Sequence, residues 1–294
     1  MESKKMDRLA VRFMQAMTIA CVLLLFFMVF IFAQRSMPII SEKGIGGLFS
    51  GEWKPMAGKF GITPFIAGTI WSTLTAMAIA VPLCLLASIY LAEYAGRRLA
   101  EATKPLIDLL AGIPSVVYGL CGVLVLVPLV RDFIAPAFGI DTSGYTLLTG
   151  GMVLAIMVSP IIISISRELI DSVPDEMREA SLALGATRWQ TTKHVVLRSA
   201  APGIVGAVIL GFSRAFGETM AVMMVIGNVP NVFPSLFEPS YPLPALIANN
   251  YGEMMSIPLY DSALFFAALL LLGVVLAFSA LGRIALIRIE GRAA

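Results

Sequence analysis

Six long apolar stretches, each almost free of charge, restrict the fold of this chain more than any other feature. A helix needs about 20 apolar residues to cross a bilayer, and every stretch reaches that length. The 294-residue chain is 58% hydrophobic and only 14% charged, which no ordinary soluble domain of this size can accommodate. We therefore predict an all-α membrane protein with six transmembrane helices, at about Phe13–Ala33, Ile62–Ala92, Pro105–Val130, Tyr145–Ser166, Pro202–Ile226 and Ser262–Ile287.

The first apolar stretch follows a basic N-terminus and has some features of a secretory signal. However, Phe13–Ala33 is longer than the apolar part of most signal peptides, and no small-x-small cleavage site follows it. We therefore predict a retained membrane helix.

The basic residues are distributed unevenly between the segments that join the stretches. If the N-terminus is cytoplasmic, 15 of the 21 Lys and Arg lie in the cytoplasmic segments 1–12, 93–104, 167–201 and 283–294. Five lie in external segments, four of these in the first external loop, and the remaining one is Arg214. Because positive charge favours the cytoplasmic side, both termini are predicted to be cytoplasmic.

Several classes of protein are disfavoured by the residues that the chain lacks. Three cysteines and one histidine show no spacing typical of a disulfide framework or a metal site. The basic residues form no block that suggests nucleic-acid binding. A phosphate-binding Gly-x4-Gly-Lys-Ser/Thr loop is missing, and so is a nucleophile with a base inside an apolar stretch. We predict that the chain is not an enzyme and binds no metal or cofactor.

Arg214, in the middle of the fifth stretch, is the main candidate functional residue. A charge in lipid is costly and usually marks a pathway, a pocket or an ion pair. A guanidinium offers forked donors that fit oxyanions. Glu218 follows four residues later, on the same face of a continuous helix. Two interpretations are open from position alone: an ion pair that only holds the bundle together, or an anion path in which the anion competes with Glu218 for Arg214.

The cytoplasmic segment between the fourth and fifth stretches is predicted to form a helix–glycine–helix elbow. Pro174 can occupy the first turn of a helix, with Asp175 and Glu176 at its positive end. Gly185 can end that helix in the left-handed conformation. The elbow would then present a mildly apolar ridge that fits a groove of another protein.

This elbow resembles the EAA loop of ABC importer permeases. The family pattern is Glu-Ala-Ala, three residues, Gly, nine residues and Ile-x-Leu-Pro. The chain has Glu179, Ala180 and Ser181, then Gly185, then Val195-Val196-Leu197-Arg198. The resemblance implies that Glu179, Ala180, Ser181 and Gly185 couple the chain to a cytosolic ATPase.

A narrower resemblance is to Pst-type phosphate permeases. The stretch Leu109–Gly119 is similar to their third span, and Arg214–Val222 with Gly227-Asn228 is similar to their C subunit. This implies a type I permease fold with a transport domain at 69–287, which includes the coupling loop 167–201. Residues 1–68 would form the N-terminal tail, first helix and external loop, and 288–294 a cytoplasmic tail.

The same resemblance implies partners, a location and a substrate path. The partners would be an A-type permease, two ATPases that use the ATP, an external phosphate-binding protein and the lipid of a bacterial inner membrane. The path would include Arg214, Glu218, Thr219, Ser115 and Tyr118, although the three neutral residues also fit simple packing roles. Gly211 and Gly217 fit close helix packing. A permease for sulfate or molybdate and a secondary anion carrier are the alternative functions.

Overall fold

The computed structural model describes residues 2–253 and 256–293, and they are mostly helical. The helices are α1 (Glu2–Leu48), α2 (Thr63–Ile89), α3 (Arg97–Gly112), α4 (Ser115–Cys121), α5 (Val127–Leu129), α6 (Ala135–Ala137), α7 (Leu147–Asp171), α8 (Asp175–Ala183), α9 (Arg188–Thr191), α10 (Leu197–Gly217), α11 (Met220–Met223), α12 (Leu243–Asn250) and α13 (Tyr260–Ala293). One short hairpin pairs β1 (Trp53–Lys54) with β2 (Lys59–Phe60).

Short π-helical turns extend several of these helices. One such turn, Tyr90–Tyr94, follows α2, and Thr192–Val196 joins α9 to α10. Two more, Gly122–Leu126 and Val130–Ile134, join α4 to α5 and α5 to α6. As a result, α4 to α6 form one helix, and α9 and α10 form another.

Six helices in the described part of the chain are long and apolar enough to cross a membrane, which confirms the predicted number. They are Ala10–Leu48, Thr63–Tyr94, Ser115–Ala137, Leu147–Asp171, Arg188–Gly217 and Tyr260–Ala280.

Several predicted boundaries are wrong, among them the end of the first span, which lies at Leu48 and not at Ala33, and the start of the fifth, which lies at Arg188 and not at Pro202. The third span starts at Ser115 and not at Pro105, because Pro105 belongs to α3, a separate helix that carries charges along its length. The fifth span ends at Gly217 and not at Ile226, because the backbone of Glu218 is extended. Hydropathy measures transfer into lipid and does not detect where a helix stops.

The centre of the bundle is the contact between α2 and α7. Small residues allow close approach there: a Cβ atom on Gly151 would lie only 2.5 Å from Cγ2 of Thr75 in α2. Gly211 of α10 has the same role, since its Cβ would meet the Ile162 side chain of α7 at 2.7 Å. Gly217 does not, because its Cβ would have no neighbour within 4 Å among the described residues.

An apolar cluster separate from the contact between α2 and α7 packs several further elements together. It joins the end of α1, the hairpin, the start of α2, α12 and the start of α13. The Thr69 hydroxyl donates to the Phe65 carbonyl and accepts from Leu243 N, both at 2.8 Å, which fixes α12 on α2. The long segment between α11 and α13 thus contains one short helix, α12, which is packed against the bundle.

Candidate functional site

The first element of the site is a break between α3 and α4. The helix α3 ends at Gly112, and Ile113 is extended, with ψ at 130°. Pro114 follows with ψ at 141°, and the chain becomes helical again at Ser115. The hydroxyl of buried Tyr118 donates to the Leu110 carbonyl at 2.7 Å, so the end of α3 is held against the start of α4.

The second element is a break between α10 and α11. The helix α10 ends at Gly217, and Glu218 is extended, with ψ at 132°. Helical structure returns at Met220, and the Glu218 carboxylate accepts from Ala221 N at 3.3 Å. Glu218 therefore caps the start of α11.

The two breaks lie side by side. The helices α4 and α11 pack against each other, and a Cβ atom on Gly119 would lie 3.2 Å from Cα of Ala221. The fold thus brings together two stretches separated by about a hundred residues in sequence. Interrupted helices of this kind are typical of substrate sites in membrane transporters, since their free backbone groups can face a ligand.

The predicted pairing of Arg214 and Glu218 through one helix face is wrong. Because α10 ends at Gly217, the two residues do not have an i,i+4 helical relation. The ion pairs found among the described residues do not include Arg214, and its side chain is exposed on this chain. The geometry therefore does not support the interpretation of Arg214 and Glu218 as an ion pair that only holds the bundle together.

The neutral candidates Ser115, Thr219 and Tyr118 lie close to the breaks but differ in burial and hydrogen bonding. Ser115 is half-buried at the first position of α4. Thr219 donates weakly to the Gly217 carbonyl, at 3.4 Å. Tyr118 already donates its hydroxyl to the Leu110 carbonyl. The break therefore presents one free guanidinium, one capping carboxylate and two hydroxyls.

The predicted helix–glycine–helix elbow is present between α7 and α10. Gly185 has a φ of +84° and ends α8 in the left-handed conformation that glycine adopts without strain. A reciprocal capping box between Thr187 and Gln190 starts α9. Pro174 stands at the N-cap and not in the first turn, a shift of one position.

The outer surface of the elbow carries polar side chains together with several exposed apolar ones: Met177, Leu182, Leu184 and Trp189. Glu179 and Ala180 are exposed, whereas Ser181 bonds to Thr191 at 2.9 Å between the two hydroxyls. Leu184 is 90% exposed immediately before the glycine.

Sequence reasoning missed the residues that fasten the elbow to the bundle. Glu93, in the π-helical turn after α2, accepts from Nε and Nη2 of Arg178 at 3.1 and 3.0 Å. Arg188 donates to the Glu93 carbonyl and lies over the Tyr94 ring, 4.9 Å from its centroid. A carboxylate directly after an uncharged span was the available signal, but its partner lies 85 residues away.

Within the described residues, no cluster of three or more His, Cys, Asp or Glu side chains is arranged to hold a metal ion. The site of interest is therefore the pair of helix breaks together with the elbow.

Six spans, interrupted helices and a helical elbow define the membrane-spanning part of a transport system. Residues 84–290 match the family described as "Binding-protein-dependent transport system inner membrane component". The chain belongs to this family, whose members are non-enzymatic permease subunits of ABC transporters. It is accordingly a multi-pass membrane protein that works with other subunits.

Curated relatives cover most of the chain. The phosphate transport system permease protein PstC of Xylella fastidiosa is 40% identical over 262 residues, which is 84% of this chain and 80% of the relative. The probable phosphate transport system permease protein PstC of Methanocaldococcus jannaschii is 34% identical, over 95% of this chain and 93% of the relative.

A solved structure confirms the fold at lower identity. A bacterial ABC transporter involved in the import of alginate has a chain with a TM-score of 0.56 and 17% identity. The match covers 84% of this chain and 88% of that one. The type I permease fold that the resemblance to Pst-type permeases implied is therefore confirmed.

Proposed function

We propose that this chain is the transmembrane permease subunit of an ATP-driven phosphate importer. The observation that carries the proposal is Arg214, an exposed guanidinium without an ion-pair partner in the described part of the chain, next to two adjoining helix breaks. The names of the two relatives support phosphate over the alternative substrates, sulfate and molybdate. A free guanidinium suits any of these oxyanions, so the choice among them depends on the relatives.

In this proposal the anion passes the two breaks and binds Arg214 transiently. Glu218 lies four residues away but is held on Ala221, so it repels the anion without neutralising Arg214. Such a site attracts phosphate and still releases it, as conduction requires. Ser115 and Thr219 contribute neutral donors, Tyr118 holds the end of α3 beside the path, and the chain needs no cofactor or metal.

Energy comes from partner chains in this proposal. Two cytosolic ATPases hydrolyse the ATP and dock on the elbow at Glu179, Ala180, Ser181 and Gly185. An A-type permease supplies the other half of the path, and an external phosphate-binding protein delivers the ion. Both termini then lie in the cytoplasm, as the distribution of Lys and Arg favours.

The test replaces Arg214 with glutamine in the reconstituted transporter. Because Arg214 makes no ion pair within the described residues, Arg214→Gln should leave thermal stability and ATPase association unchanged. Phosphate uptake should fall by about 10- to 150-fold, since one charge-assisted hydrogen bond is worth about 1.5–3 kcal/mol. The matched control is Arg98→Gln, another exposed arginine, which should transport normally.

Three results would count against the proposal. Full phosphate uptake by Arg214→Gln would remove Arg214 from the path. Uptake of sulfate or molybdate by the unaltered transporter, with no uptake of phosphate, would reassign the substrate. An anion uptake that continues without ATP would instead favour a secondary carrier.

A further inference from the structure

The elbow is fastened to the second span by one polar cluster, which we call the clasp: Glu93, Tyr94, Arg178 and Arg188. The side chains of Glu93 and Arg178 are only 9% and 18% exposed. Two nitrogens of the Arg178 guanidinium donate to one oxygen of Glu93. The remaining donors bind the Ile170 carbonyl at 2.9 Å, the Val173 carbonyl and, at 3.1 Å, Asp175.

Arg178 therefore connects three parts of the chain. It is a residue of α8, its partner Glu93 lies at the end of the second span, and its carbonyl partners lie in the last turn of α7 and just after it. A planar guanidinium can hold all three at once, whereas an ammonium lacks this fixed fork. Charge-assisted bonds to a carboxylate are stronger than neutral ones, and partial burial reduces screening.

The rest of α8 is only loosely attached. None of its nine residues is buried. The apolar contact beneath the elbow comes from neighbouring segments, through Ile170, Val173, Val196 and Ala200. Within the described residues, the ion pair of Arg178 with Glu93 is a direct polar link from α8 to the second span, whose Ile89 and Ala92 also pack on this apolar contact. That span packs along α7 at the centre of the bundle.

We infer that Glu93 and Arg178 are positioning residues that transmit movement of the elbow to the second span. This inference rests on the proposed function, since it assumes that an ATPase moves the elbow. Without the clasp, α8 can follow the ATPase while the end of the second span stays in place. ATP is then hydrolysed without the matching change in the path.

The experiment uses the complete transporter in proteoliposomes and measures phosphate taken up per ATP hydrolysed. The variants are Glu93→Ala, Arg178→Ala and the double variant. Each single change should lower the ratio about five-fold or more, the lower range of energetic coupling between distant sites. The double variant should be no worse than either single variant, since both remove the same connection. Basal ATP hydrolysis and co-purification of the ATPase should persist.

The matched control is the fully solvated pair Arg97 and Glu101, an i,i+4 ion pair on α3 with an N–O distance of 2.8 Å. Removing both should leave the ratio unchanged, because exposed pairs contribute little. If either alanine variant fails to assemble, Glu93→Gln and Arg178→Lys keep the side-chain volume and take its place.

The inference is overturned if the single variants keep the normal ratio, or if their losses add in the double variant. It is also overturned if uptake and ATP hydrolysis fall in equal proportion, because that indicates a stabilising role only. Failure of the unaltered transporter to take up phosphate is a different result. It would refute phosphate as the substrate. Stimulation of ATP hydrolysis by the binding protein would still show whether the clasp couples the elbow to the second span.

Discussion

Gly122 offers the sharpest test of how the two helix breaks are held together. This glycine lies in the π-helical turn after α4, and its φ of −59° is one that alanine adopts without strain. The effect of Gly122→Ala on stability therefore depends on whether the added methyl group has room. A Cβ atom there would lie 2.6 Å from Cγ2 of Val153 and 2.8 Å from Cγ1 of Val225.

The size of the effect follows from these distances. Carbon atoms prefer a separation of about 3.5–4.0 Å, so both contacts are about 1 Å too short. Val153 and Val225 are 1% and 0% exposed, and β-branched side chains have little freedom to turn away. Overpacking costs about 1–3 kcal/mol, and replacing a helical glycine returns about 0.5–1 kcal/mol. We expect a net loss of about 1–2 kcal/mol of unfolding free energy.

The measurement is equilibrium unfolding of the purified chain in bicelles by titration with sodium dodecyl sulfate. Gly273→Ala is the matched control, because a Cβ on this α13 glycine meets nothing within 4 Å among the described residues. It should be neutral or more stable by up to about 1 kcal/mol. Equal stability of the two variants would show that Val153 and Val225 do not confine Gly122, and the packing argument would be wrong.

Two further predictions concern the outer cluster and the elbow. Thr69→Val leaves the buried Leu243 N without an acceptor and should cost about 1–3 kcal/mol in the same unfolding assay. Thr18→Val, which removes only an exposed bond to the preceding turn, should stay within about 0.5 kcal/mol, and a similar loss in both would contradict the link. Gly185→Val should lower uptake more than Gly185→Asn, because asparagine tolerates a φ of +84° better than valine. Equal uptake by these two variants would show that the left-handed turn is not required.

Much of the fold follows from local pattern. Six apolar runs predict the spans because the length of each is set by the thickness of the bilayer. The elbow is equally local, since a proline, two acids and a glycine mark the limits of α8 within eleven residues. The clasp is different: Glu93 and Arg178 are far apart in sequence, and no local pattern pairs them.

The relation between Arg214 and Glu218 shows a second limit. Their spacing predicts one helical face only if the helix continues, and the residues after Gly217 are as apolar as those before it. Composition therefore gives no sign that α10 ends there. The break changes the chemistry, because Glu218 caps α11 and leaves Arg214 free.

Proline alone does not mark a helix break in this chain. Pro82, Pro160 and Pro202 lie inside α2, α7 and α10, which continue through them. None of these prolines has a glycine in the two preceding positions, whereas Pro114 follows Gly112 at that spacing. A glycine at a helix end with a proline shortly after it is a common stop signal.

Glycine is the feature common to both breaks. Gly112 and Gly217 are each the last helical residue, and each is followed directly by an extended residue, Ile113 or Glu218, with ψ near 130°. Helical structure then returns within three residues, at Ser115 and Met220. In each break, therefore, a glycine that weakens the helix is followed by a residue with an extended backbone. The adjacency of the two breaks in space, which no local pattern encodes, then makes them a single site.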